Sequence, residues 1–438
     1  METTAIPRKN GKKLDWRSFA CHTVGIMKKK KRTTSPTRSK MTALRQTVNL
    51  IASHLIVKIA RETGVIHQCR DFDPNSHVIA LMNAQLTHSI GLNDVCDSLQ
   101  LHQRDLSTIR GAKPPRRNTF SHANRTRDPV MAERLFWETL QHLQSIQPDF
   151  AHGRRGKGLL RRFRRNIYAM DSTVIELVTN CMDWAQHRRR KAAAKCHLRL
   201  NLQSFLPSVA IVDTARDSDA KRARELTAGL KSGEIVIFDK AYVDFEHLAD
   251  LDKRGVIWVS RAKENMAYEV KAKLPVDEGS KVVRDELIWR PQAKQGEVEV
   301  MRRVEAWVEV DGEERLMVFV TNQMDWSPQT IADLYRCRWM IEVFFKQIKQ
   351  TLQLADFLGH NANAVRWQVW TALLVYVLLR FLAHVSQWPH SFTRLFTLVR
   401  AALWKRLDLR CLLERYGTAG GSYRMLAAPE QAYLPGFG

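Results

Sequence analysis
Apolar residues recur at helical spacing over residues 42–66, and Asp71-Phe72-Asp73-Pro74-Asn75 then stops the pattern. A run of short helices is predicted next. Ser76 is placed to cap a helix beginning at His77, and a turn containing Gly91 leads into an amphipathic segment at 92–101. Residues 111–115 set off a short basic helix over 116–127, and Pro129 opens an amphipathic helix to about residue 146. From residue 166 the pattern changes. Strands are expected at 166–170, 197–202, 209–212, 234–238 and 256–260, alternating with helices at 220–230 and 245–254. That alternation predicts an α/β layer. Between 261 and 325 apolar positions repeat every second residue, giving strands at 281–290, 297–310 and 315–321 with Asp311-Gly312 as a hairpin turn. This stretch reads as a β-rich insertion. Helices resume at Ser327, and the most apolar charge-free run, residues 367–379, is shorter than the roughly 20 residues a membrane helix needs. It is expected to be a core helix.

Composition points to a kind of partner without changing that layout. The 438 residues carry 69 Lys+Arg against 45 Asp+Glu, a formal charge of +24, with 45% hydrophobic positions, which excludes disorder along the whole length. Nucleic acid is the leading candidate partner, ahead of an anionic membrane surface. Seven cysteines without a CxxC pair exclude a disulfide framework or zinc ribbon and fit a reducing, cytoplasmic setting. Residues 1–40 hold twelve Lys/Arg and two acids, including the run Lys28 to Arg32, and read as a flexible basic arm, with Met41 as an alternative start. A helical domain at 41–150 and a Gly-rich basic linker at 151–165 follow, the linker suited to lying on a polyanion. In the helix at 116–127, Arg117, Asn118, Ser121 and Arg125 are side chains that reach phosphates and base edges. An ordinary exposed helix has the same composition.

Three acids stand out by placement. Asp171 and Asp239 each directly follow a predicted strand, and strand C-termini in open α/β sheets are where sites are built. Two carboxylates there repel and call for a cation, Mg²⁺ or Mn²⁺ by ligand hardness, although a lone acid after a strand commonly caps a helix. The third acid lies on a predicted helix spanning residues 335–349. At about 100° per residue, Tyr335, Arg338, Glu342 and Lys349 fall within an arc of roughly 60°. Leu334, Ile341, Phe345, Ile348 and Leu352 form the adjoining apolar stripe. Arg338, Glu342 and Lys346 also have the spacing of plain surface ion pairs.

The spacing Tyr335-(2)-Arg338-(3)-Glu342-(6)-Lys349 resembles the signature of insertion-sequence-4 family transposases. Ala169-Met170-Asp171-Ser172-Thr173 and Phe238-Asp239-Lys240-Ala241-Tyr242 resemble the family's first and second acid motifs, with Lys240-Ala241 standing where Arg-Gly is frequent. The resemblance covers roughly residues 75–385 and includes the helical region around Ser121 to Asp128. It implies an RNase H-like catalytic core (166–260 and 326–390) interrupted by the β insertion (261–325), preceded by an all-α DNA-binding domain and followed by a tail at 391–438. It further implies a catalytic, metal-binding triad of Asp171, Asp239 and Glu342, holding two Mg²⁺ or Mn²⁺ ions. DNA contacts are implied for Tyr335, Arg338, Lys346 and Lys349. The implied partners are the element's terminal inverted repeats and target DNA, bound by a homodimer on paired ends. Trp258, Trp289 and Trp307 are candidates to stack a flipped base, with burial in the core as the other role open to each. A transposase-derived DNA-binding protein without catalysis and an RNase H-like nuclease are the alternative functions.

Overall fold
The computed structural model describes residues 37–416 except 69–70, 153–158, 178–185, 188–190, 215–218, 311, 353–357 and 360. The arm up to residue 36, and Arg154, Arg155 and Lys157 of the linker, lie outside the described residues. Among the described residues the first α-helices are α1 (Ala43–Val48), α2 (Leu55–Glu62), α3 (Pro74–Thr87), α4 (Leu92–Leu101), α5 (Gln103–Ser107), α6 (Arg117–Thr126), α7 (Val130–Ile146) and α8 (Pro148–His152). The cap of α3 differs from the one expected. Asp73, not Ser76, takes that position, its carboxylate accepting the Ser76 amide at 2.8 Å, because Pro74 fits the first helical turn and moves the start forward.

The sheet begins with β1 (Ile167–Leu177), β2 (Gln186–His187), β3 (Lys191–Asn201) and β4 (Leu206–Thr214), of which β1, β2 and β4 each pair antiparallel with β3. After helix α9 (Asp219–Thr227), β5 (Ile235–Phe238) pairs parallel to β1 and β6 (Ile257–Arg261) parallel to β5, with α10 (Phe245–Lys253) as the crossover. The resulting order, β4-β3-β1-β5-β6, is the three-antiparallel, two-parallel arrangement of an RNase H-like sheet. β5 reads Ile-Val-Ile-Phe with no alternation because both of its faces are covered. Ile235 and Ile237 join a core that runs into the amino-terminal helices, and Val236 and Phe238 join a second core beneath α9 and α10.

The insertion is β-built as expected and extends the same sheet through β7 (Glu269–Lys273), β8 (Val282–Trp289), β9 (Val300–Val310) and β10 (Glu313–Thr321). β10 turns back to pair with β6 over Phe319–Thr321. Gly312 closes the β9–β10 turn at φ +83°, a left-handed conformation that favours glycine. The helices that follow are α11 (Pro328–Arg336), α12 (Trp339–Thr351), α13 (Ala362–Val385), α14 (Phe392–Ala402) and α15 (Leu409–Arg415). α13 is long and apolar enough to cross a membrane, yet 83% of its most apolar window is buried inside the protein, where it packs against α3, α6 and α7.

Candidate active site
The β1–β5 ladder ends at the pair Met170↔Phe238, so Asp171 and Asp239 are the first residues beyond it on two adjacent strands. Register alone places the two acids side by side at the carboxyl edge of the parallel strands. β1 does not end at Met170 as expected. It continues to Leu177 on its β3 side, with Asp171 opposite Leu198.

The expected single helix over 335–349 is interrupted. α11 stops at Arg336 and α12 starts at Trp339, joined by i→i−3 bonds from the Arg338 amide to the Tyr335 carbonyl (2.9 Å) and from the Ile341 amide to the Arg338 carbonyl (3.0 Å). Both turns stay right-handed, so Tyr335, Arg338 and Glu342 still converge on the acids. Leu334, Ile341, Phe345, Ile348 and Leu352 are all buried beneath them, as the apolar stripe requires.

Arg338 is the centre of the cluster. Its Nη1 donates to Asp171 Oδ2 at 2.9 Å and its Nη2 donates to Glu342 Oε1, while its Nε is buried without an acceptor among the described residues. Tyr335 Oη donates to Asp239 Oδ1 at 3.2 Å. The Ser172 amide donates to Asp171 Oδ1 at 2.8 Å. Burial, against the pull of Arg338 and the Ser172 amide and helped by repulsion from Glu342 and Asp239, pushes the Asp171 carboxyl up to about 6. Burial alone would loosen the Arg338 proton, but Tyr335, Glu342, Asp171 and Asp239 together hold it above its ordinary value. The Tyr335 phenol is raised by burial and by Asp239, with Arg338 opposing.

Among the described residues no three His, Cys, Asp or Glu side chains close on a single point as a finished metal site would. The donor set nevertheless suits a hard cation. Three oxygen-bearing carboxylates interact with one another around a single guanidinium, which leaves an excess of two negative charges.

The other expected residues are more dispersed. Lys349 Nζ donates to the Val174 carbonyl at 2.8 Å and so lays α12 along β1, whereas Lys346 is exposed one turn beyond Glu342. Arg117, Asn118, Ser121 and Arg125 are exposed along α6, while its Phe120, Ala123 and Asn124 are buried. Among the described residues no hydrogen bond or ion pair joins these four to the acids. Trp258 belongs to the core, its Nε1 donating to Asp252 Oδ1 at 2.7 Å, because β6 is covered on both faces. Trp289 is half-buried under Lys271, and Trp307 is 43% exposed on β9. One residue went unnoticed in the sequence. Arg261, the last residue of β6, follows the pair Phe238↔Ser260 and acts electrostatically on Tyr335. A charge closing a buried parallel strand, the cue that marks Asp239, would have found it.

Several known proteins are similar to this chain. A transposase DDE domain model matches residues 162–378, and a domain of unknown function matches residues 39–109. A Sinorhizobium fredii protein named as a transposase is 30% identical over 314 residues, 71% of this chain and 83% of its own length. The transposase for insertion sequence element IS231E of Bacillus thuringiensis is 21% identical over 48% of this chain and 55% of its own length. The transposase InsG for insertion sequence element IS4 of Escherichia coli is 26% identical over 42% of each chain. A piggyBac transposase in a synaptic complex with hairpin DNA overlays with a TM-score of 0.46 at 9% identity, over 85% of this chain and 83% of that one. With the match to the Sinorhizobium protein spanning most of both chains, and the acids and their signature helix gathered at one sheet edge, this chain belongs to the insertion-sequence-4 family of DDE transposases.

Proposed function
We propose that the protein binds the ends of its insertion sequence, cuts phosphodiester bonds there and joins the freed ends to target DNA. The observation that carries this reading is the cluster of Asp171, Asp239 and Glu342 around Arg338, with two negative charges in excess. Asp171, Asp239 and Glu342 would hold Mg²⁺ or Mn²⁺, two ions per site, which when bound activate water or a DNA 3′-hydroxyl and stabilise the leaving oxygen.

The chain's own groups divide the remaining work. Tyr335 fixes Asp239 through Oδ1 and leaves Oδ2 open to a ligand. Arg338, whose Nε–H has no acceptor among the described residues, would offer a planar fork to a phosphate. Lys349 and Lys346 add point charges along α12. The exposed face of α6 reads the terminal repeats through Arg117, Asn118, Ser121 and Arg125, and two protomers hold paired ends.

The test is a duplex carrying the element's end, incubated with protein and supercoiled plasmid. Cleavage and joining are expected in Mg²⁺ and neither in EDTA. Cleavage without joining would indicate a nuclease, and binding without cleavage would indicate a DNA-binding protein alone.

A further inference from the structure
α3 is anchored at both ends to elements of the proposed machinery. Near its start, His77 Nε2 bonds Asn124 Oδ1 of α6 at 2.8 Å. At its end, His88 Nε2 reaches the Thr351 carbonyl of α12 at 2.6 Å, across 263 positions of sequence. The other ring nitrogen of His88 faces Arg400 Nη1 of α14 at 3.1 Å, and the ring stacks on Phe396 at 4.8 Å and 21°. Arginine can only donate, so Nδ1 accepts and the proton resides on Nε2, directed at the Thr351 carbonyl. That carbonyl closes the last turn of α12, where helix carbonyls lack partners within the helix.

His88 also adopts φ +58°, ψ +44°, the left-handed conformation that glycine occupies most easily at a helix end. A side chain kept at a position that favours having none points to a role for the side chain itself. We propose that His88 is a positioning residue that fixes the carboxyl end of the helix carrying Glu342, so that α3 links α6 to the catalytic acid. α12 is held at its start by the Arg338–Glu342–Asp171 contacts and along its length by Lys349 on β1. The His88 bond prevents the far end from rolling, a motion that would swing Glu342 away from Asp171.

The inference rests on the proposed function for its rate readout and stands independently for its structural one. His88→Gly and His88→Asn both suit the left-handed backbone and cannot reach Thr351, whereas His88→Gln can still offer an amide N–H. In hydrogen exchange without DNA, the Leu352 amide, bonded to the Ile348 carbonyl, should exchange at least about tenfold faster in the Gly and Asn variants. Single-turnover cleavage should fall about tenfold in both with end affinity and melting temperature unchanged, and His88→Gln should recover most of the rate. Arg400→Gln combined with His88→Gly should be no slower than His88→Gly alone. Unchanged exchange and rate in either His88 variant would overturn the proposal. So would a rate loss matched by loss of stability or end affinity, or one that Gln does not rescue. If wild-type protein fails to cleave, the functional reading falls and the exchange arm alone decides this one.

Discussion
Arg302 and Arg338 both hold carboxylates, and they do opposite things. Arg302, on β9, grips Asp285 of β8 through Nε (2.8 Å) and Nη2 (2.6 Å), with both side chains almost wholly buried, at 4% and 1% exposure. Its Nη1 donates to the carbonyls of Met324 (2.9 Å) and Trp326 (2.6 Å) in the loop before α11. Charges there balance one to one. Arg338 is shared between Asp171 and Glu342, keeps one N–H unused and lies within reach of a third acid's field. The difference is one of charge balance: a closed, neutral pair holds the insertion against the loop before α11, and an open cluster keeps surplus acid, as the proposed metal site requires.

Removing surplus charge should therefore cost function, and removing balanced charge should cost folding. Asp171→Asn, Asp239→Asn and Glu342→Gln are each expected to lower the cleavage rate by about 10³-fold or more, about 4 kcal/mol, with end binding retained. Gel assays of cleavage and of binding check this, and retained cleavage removes that residue from the triad. Their melting temperatures should be equal to or above wild type. Arg302→Met should instead lose about 3–5 kcal/mol of stability, because Asp285 is left buried and unpaired, and Arg302→Met with Asp285→Leu should regain most of it. Urea unfolding measures both.

The charges of α6 are a third kind, since the Arg117 and Arg125 side chains form no ion pair among the described residues. Alanine at Arg117, Asn118, Ser121 and Arg125 should leave folding intact and erase the preference for element ends over random DNA, at about 1–3 kcal/mol per base contact. Competition binding at fixed salt reads it. An unchanged preference would move recognition elsewhere.

A smaller effect belongs to His77, buried among Phe72, Phe120 and Trp367 and kept neutral, its pKa lowered to about 3 by burial and by Arg127. The unfolded chain takes up a proton near pH 6.5 that the folded chain refuses until about 3. Stability supplied by neutral His77 is thus lost as pH falls through that window. His77→Gln, which can still donate to Asn124, should remove up to about 1.4 kcal/mol per pH unit from the slope of stability between those limits. Chemical denaturation across pH tests it.

Much of this contrast was legible in the sequence. Asp171 and Asp239 were visible because buried parallel strands are unbroken apolar runs, so an acid at their end is conspicuous. Glu342 was visible through its helical spacing to Tyr335 and Arg338. What stayed hidden is physical in origin. Among the described residues β1 beyond Asp171 pairs with β3 and no longer with β5, so its outer residues are not forced to be apolar. Every residue of β7 is exposed, and no burial imprints a period on it. The α11–α12 break exchanges i→i−4 for i→i−3 bonds without disturbing the apolar stripe. The Arg302 clamp joins residues 17 apart in sequence on neighbouring strands, and only register reveals it.

The acids around Arg338 carry a charge surplus that a divalent cation is expected to satisfy. Thermal unfolding with increasing Mg²⁺ tests it on wild type, Asp171→Asn, and the Arg302→Met/Asp285→Leu double variant. Wild type and the double variant should each gain stability with added Mg²⁺, about 2.7 kcal/mol at a hundredfold excess over the dissociation constant, and Asp171→Asn should gain little or none. An equal gain in Asp171→Asn, or no gain in wild type, would contradict the account.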